Sequence, residues 1–290
     1  MSLFISLLKE ERWDDATDLL TRHEEVADST DDATGNHCLF YALGSPDMCR
    51  LLLRLRPDVI KLKTPAGNNV CHVCVQSCAP QESLDVILRH KKSCAAVKNA
   101  DGKVPLHFAA AAGSKASTAT IDALVAAYPS GCAIKESKNN SCPLHYACAF
   151  KAPAAVIEGL IMSFPGVTME RDCTGAVPLH LALVYGASTS VVRLLLEVSP
   201  ESAGLPDGKG RLPLHLAILF EASPESVGES PYIFLPIRSL ISLLCSRGAD
   251  ISVFASTFRE GGLGAHAAAA CVQAQGHGLA VDLRAVADNG

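Results

Sequence analysis

Three thiols and an imidazole stand close together early in the chain: Cys71-His72-Val73-Cys74, with Cys78 four residues further on. On a helix that spacing puts three sulfurs on one face, and zinc accepts such ligands. Structural zinc sites usually gather their ligands from two elements, however, and no second Cys-x-x-Cys follows. A free thiol in an apolar stretch otherwise behaves as a small buried hydrophobe, and Cys71, Cys74, Cys148 and Cys271 all lie in such stretches. Reduced core cysteines are therefore expected, with no metal and no cofactor. A thiol-based metal-binding or redox-sensing protein centred on Cys71, Cys74 and Cys78 is the alternative reading. A second set of imidazoles, His107, His145, His180 and His215, recurs at nearly constant spacing. A row of ligands or bases would look like this, yet a residue that returns once per repeat is ordinarily architectural.

The usual enzymatic signatures are missing. Gly204-Leu-Pro-Asp-Gly-Lys-Gly210 lacks both the spacing and the hydroxyl of a phosphate-binding loop. His23-Glu24-Glu25 has no second histidine to complete a zinc-protease helix, and no Gly-x-Ser-x-Gly occurs. No catalytic residues are assigned, and an enzyme is not expected.

Composition narrows the class further. Of 290 residues, 49% are hydrophobic and mean hydropathy is +0.23, which excludes a disordered chain. Aromatics are only 5%, so the core must be built from aliphatic and small side chains. No apolar run approaches the roughly 20 residues that span a bilayer, and no cationic, secretory-type leader opens the sequence. A cytoplasmic protein is expected, with the nucleus as the alternative, and without membrane insertion. A formal net charge of −5 and the lack of aromatics interleaved with basic residues argue against a nucleic-acid partner. Charge is uneven: residues 1–34 hold ten acids against three bases, while residues 50–103 hold ten bases against four acids. The basic stretch is either a solvated surface or a steering patch for an acidic partner.

The elements that must carry these residues are set by an internal repeat. Pro105-Leu-His107, Pro143-Leu-His145, Pro178-Leu-His180 and Pro213-Leu-His215 place their histidines 38, 35 and 35 residues apart. Pro129, Pro165 and Pro200 keep the same beat, 36 and 35 residues apart, each closing an apolar stretch. Gly67-Asn-Asn-Val-Cys-His72 is a weaker copy upstream, and Gly264-Ala-His266 one downstream, 51 residues after His215. Proline suits the first helical position, so each Pro-Leu-His opens a short helix, which glycine ends at Gly113 and Gly186. A second apolar helix follows, as in Val191–Ser199, and stops before proline. Ser45-Pro46-Asp47 supplies a cap and acidic first turn for such a helix. Polar connectors ending in Gly102, Asn140, Gly175 and Gly210 read as hairpin-like turns.

The framing Gly-x-x-Pro-Leu-His-x-Ala, seen from Gly102 to Ala109, Gly175 to Ala182 and Gly210 to Ala217, resembles the ankyrin repeat. The resemblance implies an all-α fold: an ankyrin-type α-solenoid of stacked helix-turn-helix units with hairpin-like connecting loops. It extends over residues 1–290 as a single array. Residues 1–34 form an N-terminal cap, 35–261 about six repeats with an insertion near 221–236, and 262–290 a C-terminal cap. The family's threonine before Pro-Leu-His is absent, replaced by Val104, Cys142, Val177 and Leu212, which removes a cap worth roughly 0.5–2 kcal/mol.

The same resemblance assigns His107, His145, His180 and His215 to bridging the loop backbones of adjacent units. It puts Cys71 and Cys74 in buried slots and Cys78 in the helix-terminating slot. It also implies a non-catalytic protein-interaction module, a scaffold or adaptor with a protein partner and no small-molecule substrate. Partner contacts are expected on the column closing each first helix, where Phe150, Tyr185 and Phe220 lie 35 residues apart as an aromatic ladder. Alternatively, these rings fill gaps between helix pairs. The loop residues Lys103, Lys138, Asn139, Ser141, Thr174, Lys209 and Arg211 are further contact candidates.

Overall fold

The computed structural model describes residues 3–221, which divide into two compact units at Cys173–Thr174. Nearly all of the expected 221–236 insertion, the C-terminal cap at 262–290 and the weak copy at His266 lie outside the described residues. So does the Phe220 side chain, although its backbone belongs to a helix. No helix among the described residues is long and apolar enough to cross a membrane. The same residues contain no β-strand, only an isolated bridge between Thr30 and His37.

The first unit opens with a helix pair, α1 (Leu3–Lys9) and α2 (Trp13–Arg22). Phe4, Ile5, Leu8, Ala16 and Leu20 turn inward, while Asp14, Asp15 and Asp18 stay in solvent. The next pair is irregular. Two single-turn 3-10 helices, Cys38–Phe40 and Ala42–Gly44, stand where a first α-helix is expected. Helix α3 (Pro46–Leu55) then starts as its sequence requires, with Ser45 Oγ accepting from the Met48 amide at 3.3 Å.

From residue 70 the pattern becomes regular. Seven-residue helices α4 (Val70–Gln76), α6 (Pro105–Ala111) and α8 (Pro143–Ala149) alternate with ten-residue helices α5 (Gln81–His90), α7 (Thr118–Ala127) and α9 (Ala154–Ser163). The short helices pack side by side in one row, α4 on α6 on α8, and the longer ones form a second row, α3 on α5 on α7 on α9. Between a short helix and its partner the chain reverses through a residue of positive φ: Cys78 at 52°, Gly113 at 61° and Lys151 at 57°. The second unit repeats the arrangement with α10 (Pro178–Val184), α11 (Thr189–Val198) and α12 (Pro213–Glu221), α10 packing on both others.

A short helix absent from the sequence reading follows each longer one. Pro57–Lys61, Lys92–Ala96, Pro129–Ala133, Pro165–Met169 and Pro200–Gly204 are five-residue 3-10 turns. Each sends its third and fourth residues into the core, as with Val59 and Ile60, or Cys94 and Ala95. In four of the five, proline explains the double role: it bars its predecessor from continuing a helix, and its fixed φ suits the first position of a new one; Lys92–Ala96 forms the same turn without it.

The missing threonines have a packing counterpart. Val104, Cys142 and Val177 are fully buried and Leu212 is 8% exposed, so this position feeds the core instead of capping the helix. Burying a valine or leucine side chain contributes about 1.5–3 kcal/mol, which offsets the lost cap.

The hairpins abut, and glycine permits it. Gly67 sits at φ +76°, and a Cβ there would stand 2.8 Å from the Ala100 amide nitrogen, which bonds to the Ala66 carbonyl. Gly35 has a similar φ of +69° with nothing within 4 Å. Gly35→Ala is expected to cost about 1 kcal/mol for its backbone alone, and Gly67→Ala clearly more. Equal losses in urea unfolding would mean that the close approach of the hairpins carries no energy.

Candidate functional site

The recurring histidines bond to the backbone in the same way in each copy. At the start of each short helix the ring Nδ1 accepts the amide N–H three residues back: Val104 to His107 at 3.1 Å, Cys142 to His145 at 3.3 Å, Val177 to His180 at 3.1 Å and Leu212 to His215 at 2.9 Å. At the opposite edge, Nε2 reaches the carbonyl of the next hairpin. His72 meets Lys103 O at 2.9 Å, His107 meets Ser141 O at 3.2 Å and His180 meets Arg211 O at 3.3 Å. An Nδ1 that accepts and an Nε2–H that donates require the neutral ring. Burial enforces this, holding His107 down to about 4 and lowering His72 and His215. His72 shows that the device survives without proline, since Asn69 caps α4 with its side chain and also donates to Cys94 O at 2.8 Å.

The column that closes each short helix is mostly open to solvent. Phe150, just past α8, is 53% exposed, and Tyr185, just past α10, is 50% exposed. Phe150 stacks on Tyr146 with centroids 6.2 Å apart and planes 3° from parallel. Ser77 is exposed and Ala112 half-buried at the equivalent positions.

The hairpin candidates separate into distinct environments. Lys138 and Asn139 are exposed, their amides donating to the buried Glu136 carboxylate. Thr174 is exposed and its carbonyl accepts from the Gly208 amide at 2.8 Å. Lys209 is exposed, while Arg211 is half-buried and ion-paired with Asp207 at 2.7 Å in its own hairpin. One candidate is corrected, and another lies where its hairpin position does not suggest. Ser141 is buried, its carbonyl taken by His107, so its side chain is not displayed on the loop. Lys103 lies over the short helices: its ammonium is 5.0 Å from the Tyr146 ring centroid and 5.9 Å from that of Phe108, drawn there by the negative ring faces. The sequence reading missed Phe108 and Tyr146, although both directly follow a repeat histidine and are half-buried.

Three of the ten bases in residues 50–103 are locally balanced. Arg56 pairs with Asp28 of the acidic N-terminal stretch at 2.8 Å, Lys61 with Asp58 at 2.6 Å, and Arg50 with Asp47. These are exposed pairs worth little individually.

The thiols do not converge on a common centre. Cys71 and Cys74 are buried, whereas Cys78 is exposed on the turn after α4. Among the described residues no group of three His, Cys, Asp or Glu gathers in metal-binding geometry, so the thiol alternative finds no support. The Cys94 thiol together with burial pushes Cys71 up, and burial pushes Cys74 up to about 12.

Two measurements test this arrangement. Between pH 6.5 and about 4 the unfolded chain binds a proton that folded His107 refuses, so its contribution is full above 6.5 and lost as pH falls to about 4. Roughly 3 kcal/mol of stability should disappear across that window, and the His107 imidazole signal in NMR should not titrate above pH 5. A normal titration near 6.5 would contradict the bridge. In native alkylation followed by peptide mapping, Cys78 and Cys173 should label first of the ten described thiols. Fast labelling of Cys71 or Cys74 would revive the thiol centre.

No family model matches the chain, and no curated protein matches it. Solved structures do. The ankyrin repeat domain of Bcl-3, described as a unique member of the IkappaB protein family, superposes with a TM-score of 0.61 at 18% identity, over 75% of this chain and 94% of that one. Paired short and long helices, projecting hairpins, the Pro-Leu-His repeat and this likeness together show that the chain has the ankyrin-repeat fold.

Proposed function

We propose that this protein is a non-catalytic interaction module, a scaffold or adaptor that recognises a protein partner through the exposed face of its short helices and the adjoining hairpin tips. One observation carries the reading: Phe150 and Tyr185 occupy the same place one repeat apart, each the C-cap of its short helix and about half exposed. Aromatic side chains bring large contact area at low ordering cost and are enriched among binding hot spots. Most buried polar groups nearby are spent on architecture, the histidines above all, which leaves no catalytic constellation among them. A rigid array suits recognition because little order is lost on binding. The ten described cysteines are free, which suits a reducing compartment, cytoplasm or nucleus.

The test is quantitative capture of partners from source-cell lysate on wild-type bait and on Phe150→Ala/Tyr185→Ala bait. Met162→Ala, which alters an exposed side chain on the last turn of α9, serves as control. The double variant should keep its stability within about 1 kcal/mol per site and lose specific partners at least about tenfold. Unchanged capture by a normally folded double variant would reject this face. A collapse of the melting temperature would instead make the rings packing elements.

A further inference from the structure

Within residues 3–173, one strip of the short-helix face combines rings with unbalanced positive charge. Phe108 on α6 and Tyr146 on α8 are one-repeat equivalents, each braced by the edge of a buried histidine. His72 lies 5.5 Å from Phe108 at 87°, and His107 lies 5.7 Å from Tyr146 at 84°. Phe150 extends the strip outward, stacked on Tyr146 and half in solvent. Lys103 stands over both inner rings. Ring faces attract its ammonium but do not neutralise it.

The surroundings are basic too. Lys138 lies in the hairpin that abuts the one carrying Lys103, joined by the Ser137 amide to Asp101 O at 2.8 Å. Lys151 directly follows Phe150, and Lys115 follows α6. None of these four lysines forms an ion pair among the described residues. Of the two carboxylates in those hairpins, Glu136 is 2% exposed and engaged by the amides of Lys138, Asn139 and Ser141. Only Asp101 remains in solvent. Within a chain of net charge −5, this face carries the opposite sign.

We infer that this strip receives an acidic peptide segment of the partner, one that presents a carboxylate beside an aromatic or large aliphatic side chain. The carboxylate bonds to the Lys103 ammonium, and the apolar side chain covers the exposed side of Phe150. Lys103 is already held by the rings, so less side-chain entropy is lost when it binds than for a free lysine. A protein segment is favoured over a nucleic acid because the inner ring faces are already occupied by Lys103 and by Tyr146–Phe150 stacking. Only Phe150 is left as a platform, where single-stranded nucleic acid needs several. The inference rests on the interaction-module reading and specifies its ligand.

A random peptide library displayed on phage, selected on the full chain, tests both levels. Enriched sequences should carry Asp or Glu within a few positions of Phe, Tyr, Trp or Leu. A synthetic peptide of the enriched sequence should bind more weakly as salt rises. Lys103→Gln and Phe150→Ala should each weaken it about tenfold without altering the melting temperature by more than a few degrees. Enrichment of basic or purely apolar peptides would overturn the inference and leave the interaction module standing. So would acidic peptides indifferent to both substitutions, or displacement of the peptide by a single-stranded oligonucleotide at lower concentration. No enrichment of any peptide would count against both.

Discussion

A neutral imidazole with both nitrogens engaged is the interaction on which the repeat depends. The ring places an acceptor and a donor on opposite edges of a rigid plane. One edge takes the amide at the start of its own short helix, and the other reaches the hairpin one repeat on, as His107 does between Val104 and Ser141. Left unsatisfied in the interior, such polar groups would cost roughly 2–7 kcal/mol each on transfer scales. Helix start, hairpin and neighbouring repeat are thereby fixed by the same side chain. A position that must satisfy two backbones at once leaves little room for catalysis.

The hairpins are stiffened by a second device with no fixed residue type. Thr64 Oγ1 accepts the Asn68 amide at 3.2 Å, and Asn99 Oδ1 accepts those of Asp101 and Lys103 at 3.0 and 2.9 Å. Glu136 and Asp207 do the same for their own loops. Each side chain closes the turn it begins, so tip residues such as Lys138 and Lys209 are displayed from an ordered backbone. Preorganisation of this kind is what makes a surface of modest area useful for recognition.

Charge and aromatic content acquire meaning only in this frame. The basic run from residue 50 to 103 is not one patch: Arg50, Arg56 and Lys61 answer nearby acids, while Lys103 turns onto the rings of two successive short helices. Few rings are present in the chain, and Phe108, Tyr146 and Phe150 are gathered on one strip. Scarcity elsewhere is consistent with the packing: inner helices built on Leu106, Ala109, Leu144 and Ala147 approach closely because their side chains are small.

The sequence by itself determined the period, the short helix opened by proline, the turn after it and the Ser45 cap of α3. All of these depend on backbone preferences of residues close together in the chain. It also placed Cys71 and Cys74 in the interior and Cys78 on a turn, because a slot in a repeat carries its environment with it. The 3-10 turn after each longer helix was hidden, since a proline that ends one helix and one that begins another look alike in one dimension. Phe108, Tyr146 and the position of Lys103 were hidden for a different reason. The histidine edges against Phe108 and Tyr146 join residues 36 and 39 positions apart and Lys103 over Tyr146 joins residues 43 apart, so these contacts exist only once neighbouring repeats have stacked. Local preference wrote the elements; long-range packing decided which side chains face solvent together.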